Sequence, residues 1–300
     1  MTIASEIQRV QTNIENAYTS LEAKGATMPD ARNSANLAAT IESVSGGGGE
    51  AKKYGVPIDM LLWGVDSTGK LVAPTDSFEF DGTGIKIIPS TAASMFNSKF
   101  KSSNITKFKL PDLTTIQSGS QHFQSVCASC SNLTEVILPA MEMKTNSFRD
   151  AFSGCTGLTS VVVPFTKITG SNGCYSMFSS CTNLATVTFP NLTEINSGYA
   201  CYNMFSGCSK LKEITFPALT SILLASAVQG MFTSCTGLTK VYFPALTNTT
   251  DLGNSSGWMF ASCTSLTEIH FRADMQSTIE ALPGYANKWG ATNATIYFSL

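Results

Sequence analysis

The sequence predicts a repeat solenoid of mainly β or α/β class, with a parallel β-sheet along its length and a small helical segment ahead of it. Three observations carry this: a motif repeated at a near-constant period, period-two alternation within it, and a composition poor in charge. The motif is F-x-x-C-x-x-L. Its clearest copies are Phe152 to Leu158, Phe178 to Leu184, Phe205 to Leu211, Phe232 to Leu238 and Phe260 to Leu266. Self-similarity at a period of roughly 20 to 50 residues marks arrays in which each unit buries its apolar face against the next.

Each copy runs into a strand-like triplet and usually then proline, as in Val161 to Pro164, Val187 to Pro190, Ile214 to Pro217 and Val241 to Pro244. First and third residues are apolar in Val187 and Phe189, Ile214 and Phe216, and Val241 and Phe243. One strand face is therefore buried and the middle residue points outward. Proline cannot donate to a sheet ladder, so it ends the strand. A degenerate copy precedes these, with Cys127 in place of Phe before Cys130, Leu133 and Pro139, and an eroded one survives as Ile105, Phe108 and Pro111.

The repeat cysteines Cys130, Cys155, Cys181, Cys208, Cys235 and Cys263 lie 25, 26, 27, 27 and 28 residues apart, which places the added residues in loops along one edge. Ile296-Tyr297-Phe298 falls one period after Ile269-His270-Phe271 without the rest of the motif and reads as a terminal capping strand. About seven repeats and this strand account for residues 90 to 300.

Written out as A/M-F-x-x-C-x-x-L-x-x-V-x-F/I-P-x-L-T-x-I, this stretch resembles the BspA-like leucine-rich repeats of bacterial, protozoan and phage surface proteins. The resemblance implies a right-handed leucine-rich-repeat-type array and a binding rather than a catalytic role. Arg272 where proline belongs, Cys127 for Phe and the eroded first copy depart from the pattern.

Residues 1 to 45 read differently. Ile3, Ile7, Val10, Ile14, Ala17 and Leu21 form a helical seam that Gly25 stops. Pro29-Asp30 opens a second helix with Leu37, Ile41 and Val44 on one stripe, and a glycine-rich linker follows at residues 46 to 53. This order resembles N-terminal segments of tail and fibre proteins from phages of Gram-positive hosts, which implies a homo-oligomer formed through residues 1 to 45. Glu6 and Arg9 stand where a secretory signal would carry its apolar core, so no signal peptide is expected. Residues 54 to 89, with Pro57, Trp63, Phe78 and Phe80, are expected to form a β-rich N-terminal cap.

Charged residues make up 13% of the chain, against roughly 25% in ordinary globular proteins, and Ser, Thr and Asn fill the difference. With a net charge of -2 and no Lys/Arg cluster, neither nucleic acid nor an anionic membrane is expected as a partner. No apolar run reaches the roughly 18 residues a spanning helix needs, so membrane insertion is not expected.

Six of the nine cysteines share one repeat position and read as a reduced core ladder, although rungs roughly 5 Å apart are also compatible with disulfides. Cys174 and Cys201, each followed by Tyr, form a second column in which a disulfide is the alternative. Cys127-x-x-Cys130 has no companion pair, which argues against zinc. His122 and His270 lie near no nucleophile by motif, and acidic residues are scattered singly rather than paired for glycan hydrolysis. No catalytic, cofactor or metal residue is expected.

What remains is the outward strand column: Lys109, Ile137, Val162, Thr188, Thr215, Tyr242, His270 and Tyr297. Its aromatic end suits recognition, because Tyr offers large contact area at low entropic cost. The candidate ligand surface is therefore Tyr242, His270 and Tyr297 with Thr215 and Thr188. The expected function is a non-enzymatic phage or prophage tail-associated protein that presents this surface to a host. The alternative is a bacterial cell-surface adhesin. Either way the partner is a protein or glycan on a cell surface, and the site of action is the virion or the cell exterior.

Overall fold

The computed structural model describes residues 77–88, 96–116, 121–144, 146–254 and 256–300, with helical residues 14–16, 18, 19 and 22 and two short antiparallel strands at Gly64–Val65 and Leu71–Val72. The second N-terminal helix, the glycine linker and most of the seam lie outside these residues.

The chain winds into a β-solenoid of about eight turns with little helix. One face is built from β1 (Phe78–Asp81), β2 (Ile105–Lys109), β3 (Glu135–Ile137), β4 (Ser160–Val162), β5 (Thr186–Thr188), β6 (Glu213–Thr215), β7 (Lys240–Phe243), β8 (Glu268–Phe271) and β9 (Thr295–Phe298). Every pairing among them is parallel and in phase with the repeat, as in Ile214 with Val241, Val241 with Ile269, and Ile269 with Ile296. The ladder is continuous over β1–β3, β4–β5 and β6–β9, with interruptions between β3 and β4 and between β5 and β6. After the strand, the chain turns into a second parallel sheet of two-residue strands, among them Lys167–Ile168, Glu194–Ile195 and Ser221–Ile222. The only α-helix of the repeat region among the described residues, α1 (Gln276–Glu280), lies in the last turn.

The array starts earlier than the motif suggests. Phe78 to Ile88, which the sequence assigns to the N-terminal cap, form a turn whose strands pair parallel with the next one: Phe80 with Phe108, and Ile88 with Ile116. Thr83 stands where the next two turns carry Pro111 and Pro139, so the motif is lost while the pairing persists.

The core is built of columns, one from the strands and one from the opposite ribbon, that meet edge-on. Phe152, Phe178, Phe205 and Phe232 stack with centroids 5.4 to 5.6 Å apart, and Phe189, Phe216, Phe243 and Phe271 with centroids 5.0 to 5.2 Å apart. These eight rings are at most 1% exposed. Truncating one to Ala removes contacts to both neighbouring turns and costs about 3–5 kcal/mol.

The return ribbon opposite the strands has its own backbone logic. The N–H groups of Asn172, Cys174, Ser176, Phe178 and Ser180 donate to carbonyls of the next turn at 2.7 to 3.4 Å. The intervening Gly173, Tyr175, Met177, Ser179 and Cys181 donate to carbonyls three residues back. This alternation satisfies every N–H along the ribbon and requires a left-handed residue every fourth position: Asn172 (φ 54), Ser176 (φ 48) and Ser180 (φ 60). The same four-residue rhythm recurs at Gln121, Ser125 and Ser129, and at Asn146, Asp150 and Gly154. Small polar residues and glycine tolerate that conformation best.

Side-chain donors complete the network. Each repeat cysteine thiol donates to a carbonyl of the preceding turn, Cys181 to Phe152 at 3.2 Å, Cys208 to Phe178 at 3.3 Å and Cys235 to Phe205 at 3.1 Å. Threonine hydroxyls do the same at the strand starts, Thr239 to Lys212 at 2.9 Å and Thr220 to Thr193 at 2.9 Å. All nine cysteines are buried free thiols. Burial pushes the Cys181 and Cys263 thiols up to about 12. Cys130 is the exception, held at about 7 chiefly because the Cys127 thiol donates to it.

Two outcomes follow. Ser180→Gly should leave stability unchanged or raise it slightly, whereas Ser180→Val should lower it by about 1–3 kcal/mol, because a β-branched residue is strained at positive φ; urea denaturation of both variants measures the contrast. In brief alkylation of the native protein at mildly alkaline pH, Cys130 should be modified ahead of the other ladder cysteines, as read by peptide mass spectrometry. Equal labelling of all six would contradict the assigned environment.

Candidate functional site

Alternation along β6 to β9 sends Ile214, Val241 and Ile269 inward and raises Thr215, Tyr242, His270 and Tyr297 on the other face. Strand register then places these four side by side: Thr215 against Tyr242, Tyr242 against His270, His270 against Tyr297. The Tyr242 and His270 rings stack with centroids 4.5 Å apart and planes 18° from parallel, and His270 and Tyr297 with centroids 4.7 Å apart and planes at 12°. The sequence reading of a stacked outward ladder is thus realised as geometry.

Its exposure is uneven. Tyr297 is 40% exposed, while His270, flanked by a ring on each side, keeps only 13% of its side chain accessible. Both faces of the His270 ring are therefore covered, whereas Tyr297 has a ring partner on one face only.

A polar system runs beside the rings on the same strand face. His270 Nε2 lies 2.9 Å from Glu268 Oε2, and Lys240 Nζ lies 3.0 Å from Glu268 Oε1. The contact with His270, followed by that with Lys240, holds the Glu268 carboxyl below its ordinary value. The site therefore carries an anchored carboxylate, an imidazole, an ammonium and two phenols within three adjacent rungs. These groups can hydrogen-bond a polar ligand from several directions. Among the described residues no three His, Cys, Asp or Glu side chains gather as a metal site would require.

Thr188 is separate from this ladder. It stands on β5, across the interruption from β6, and with Thr186, Glu213 and Thr215 lines an open hollow of about 420 Å³. Thr215 is the shared member, bordering both the hollow and the ring column. The other outward positions are simpler: Ile137 and Val162 are exposed apolar residues, and Lys109 reaches Glu135 at 3.7 Å.

A second aromatic cluster lies on the return ribbon, and the sequence reading missed it as a surface. Tyr175 and Tyr202 stack at 4.7 Å, the Arg149 guanidinium sits 4.5 Å from the Tyr175 centroid, and Tyr199 meets Tyr202 edge-on at 5.6 Å. The signal was present as the repeated Cys-Tyr dipeptides one period apart. Tyr199 is 47% exposed and adopts φ 57, where the ribbon elsewhere places mostly Ser, Asn or Gly. The other histidine, His122, is fully buried, and among the described residues neither ring nitrogen has a hydrogen-bond partner.

Comparison with known proteins adds the following. The family model described as BspA type Leucine rich repeat region matches in six copies over residues 76–176 and 175–282. Among solved structures, the chain is similar to a leucine-rich repeat protein from Bacteroides ovatus (17% identity, 72% of this chain, TM-score 0.25) and spans 64% of that protein's length. It is similar to the T. pallidum leucine-rich repeat protein at 15% identity over 79% of this chain and 82% of that one, with a TM-score of 0.31. It is also similar to a leucine-rich cell surface protein from Faecalibacterium prausnitzii at 16% identity over 64% and 78% of the two chains, with a TM-score of 0.22. No curated protein matches. Among the described residues, no helix is long and apolar enough to cross a membrane.

The Glu268 assignment is testable directly. His270→Phe preserves a flat ring between Tyr242 and Tyr297 but removes the Nε2 contact, so the Glu268 carboxyl should titrate at higher pH than in the parent protein. Carboxyl-resolved NMR reads this, and an unmoved titration would remove His270 from the polar system.

Proposed function

The chain belongs to the BspA-type leucine-rich repeat family, and on that premise we propose that it is a non-enzymatic recognition module whose ligand binds the strand face around Tyr242, His270 and Tyr297. The observation that supports this reading most is the ordered ring column: three side chains on adjacent rungs, held by stacking and by Glu268, so little conformational freedom is lost on binding. The ligand class is a protein or glycan of a cell surface. Phenol edges, an imidazole, a carboxylate and threonine hydroxyls together offer both donors and acceptors to such a partner.

Display at a cell or particle surface is the setting that suits such a module. The narrower placement on a phage tail rests on the resemblance of residues 1 to 45, which lie largely outside the described residues. The adhesin placement rests on the family alone. Both require the same strand face to bind.

The test is a binding screen of the full chain against glycan panels and intact bacterial cells, followed by Tyr242→Ser with Tyr297→Ser. Affinity for whichever ligand is found should drop at least tenfold, about 1.4 kcal/mol or more, with the circular dichroism spectrum retained. A folded double variant that binds within about twofold of the parent would remove the column from the ligand surface.

A further inference from the structure

The last strand breaks the burial rule of the strands before it. Val241, Phe243, Ile269 and Phe271 are 0% exposed, whereas Ile296 and Phe298, at the same positions one rung on, are only partly buried. Beside them Tyr297 is 40% and Leu300 45% exposed. β9 pairs with β8 on one side, and among the described residues no strand pairs with its other edge.

Hydrogen bonding sets what that edge offers. The Thr295 N–H donates to the Thr267 carbonyl at 2.7 Å, so the peptide groups of Thr295 and Tyr297 face β8. Alternation then sends the N–H and C=O of Ile296 and Phe298 to the open side. Natural sheets protect such edges with charge, proline or a bulge. Thr295 to Leu300 contains none of these residues, although the outward positions of β6, β7 and β8 carry Glu213, Lys240 and Glu268.

We propose that β9 pairs antiparallel with β9 of a second copy of this chain, about a twofold axis passing through Tyr297. The register follows from the outward groups. Ile296 and the partner's Phe298 form a hydrogen-bonded pair, as do Phe298 and the partner's Ile296, giving about four main-chain bonds. Centring the axis on Ile296 or Phe298 instead leaves half of those bonds unmade. In the Tyr297 register the half-exposed Ile296 and Phe298 meet apolar counterparts on the core side. On the other side Tyr297 faces the partner's Tyr297, so the Tyr242–His270–Tyr297 column continues without a break into the second copy. The strand is uncharged and meets no like charge in its own copy. A four-residue edge is small beside the roughly 800 Å² per partner of a standard interface, so association belongs in the micromolar range.

The inference does not depend on the ligand, and its test uses none. Sedimentation velocity of the full chain over a micromolar concentration series should show a monomer–dimer equilibrium. Ile296→Pro deletes an outward N–H and removes no hydrogen bond of the β8 ladder, so it should weaken dimerisation at least tenfold with an unchanged circular dichroism spectrum. Separately, Tyr297→Cys should form a covalent dimer on mild oxidation, because a non-hydrogen-bonded pair with Cα atoms about 4.5 Å apart suits a disulfide. Tyr242→Cys, in the same column but two rungs inside, should not. Both cysteine variants are made on a Cys130→Ser background, which removes the native thiol with the lowered pKa, and the other native cysteines are buried. A monomer at every concentration overturns the proposal. So does a dimer that Ile296→Pro leaves intact, as association through residues 1 to 45 would produce, or a dimer in which Tyr297→Cys fails to cross-link. Should Ile296→Pro unfold the chain, the pair of cysteine variants decides alone.

Discussion

The hydrogen bonds that pass from one turn to the next are the constraint on which the rest of this molecule depends. Rungs of a parallel sheet lie about 4.8 Å apart, and at that distance each turn must supply the partners its neighbour lacks. The strands do so with an ordinary ladder. The return ribbon has to curve, so it alternates bonds to the next turn with bonds three residues back, and it needs a left-handed residue every fourth position. The wealth of Ser, Asn and Gly is therefore a backbone requirement more than a surface preference. Cysteine and threonine serve the same end by supplying donors to carbonyls of the preceding turn. A net hydrogen bond contributes about 0.5–1.5 kcal/mol, while a buried group left unpaired costs about 1–3, so losing one rung partner is worse than never having had the bond.

The same spacing shapes the surface. Any outward position becomes a column, so whatever occupies it meets its own kind at one rung's distance. Opposite charges then pair, as Glu79 with Lys107 at 2.7 Å and Lys240 with Glu268 at 3.0 Å. Exposed pairs of this kind add little stability, but they keep like charges off neighbouring rungs. Where aromatic residues occupy successive turns they stack, giving Tyr242–His270–Tyr297 on the strand face and Tyr175–Tyr202 on the ribbon. Side chains ordered by their neighbours have little freedom left to lose, and that makes a column suitable for recognition.

Periodicity made much of this legible from the chain alone. The phase of Phe, Cys and Leu, the inward and outward strand positions and the ring column are direct readouts of burial at a fixed repeat. The rest depended on contacts that residue type does not reveal. The turn from Phe78 to Ile88 has lost its cysteine and proline and carries a register shift after Phe78, so it pairs without matching. His270 was read as solvent-facing, and the flanking tyrosines instead cover most of it. Ser176 and Ser180 give no sign in the sequence that their backbone is left-handed. The break between β5 and β6, which sets Thr188 apart from Thr215, is a failure of hydrogen bonding that the uniform motif conceals.

An array of near-identical rungs stabilises each interior turn from two sides and each terminal turn from one. The final turn answers this unevenly. On the ribbon side Trp289 is fully buried, its indole N–H donates to the buried carboxylate of Asp251, and its ring meets Phe271 edge-on at 6.0 Å. That contact spans 38 residues of sequence and ties the last turn to an earlier one. Among the described residues the strand side has no comparable closure: Ile296 and Phe298 pack on the core but are only partly buried. The turn is thus anchored through its back and open at its sheet edge, so β9 can be held in register while its outer groups stay uncommitted. The back of the turn is held at Trp289 and its strand by the β8 ladder, and that ladder aligns Tyr297 with His270.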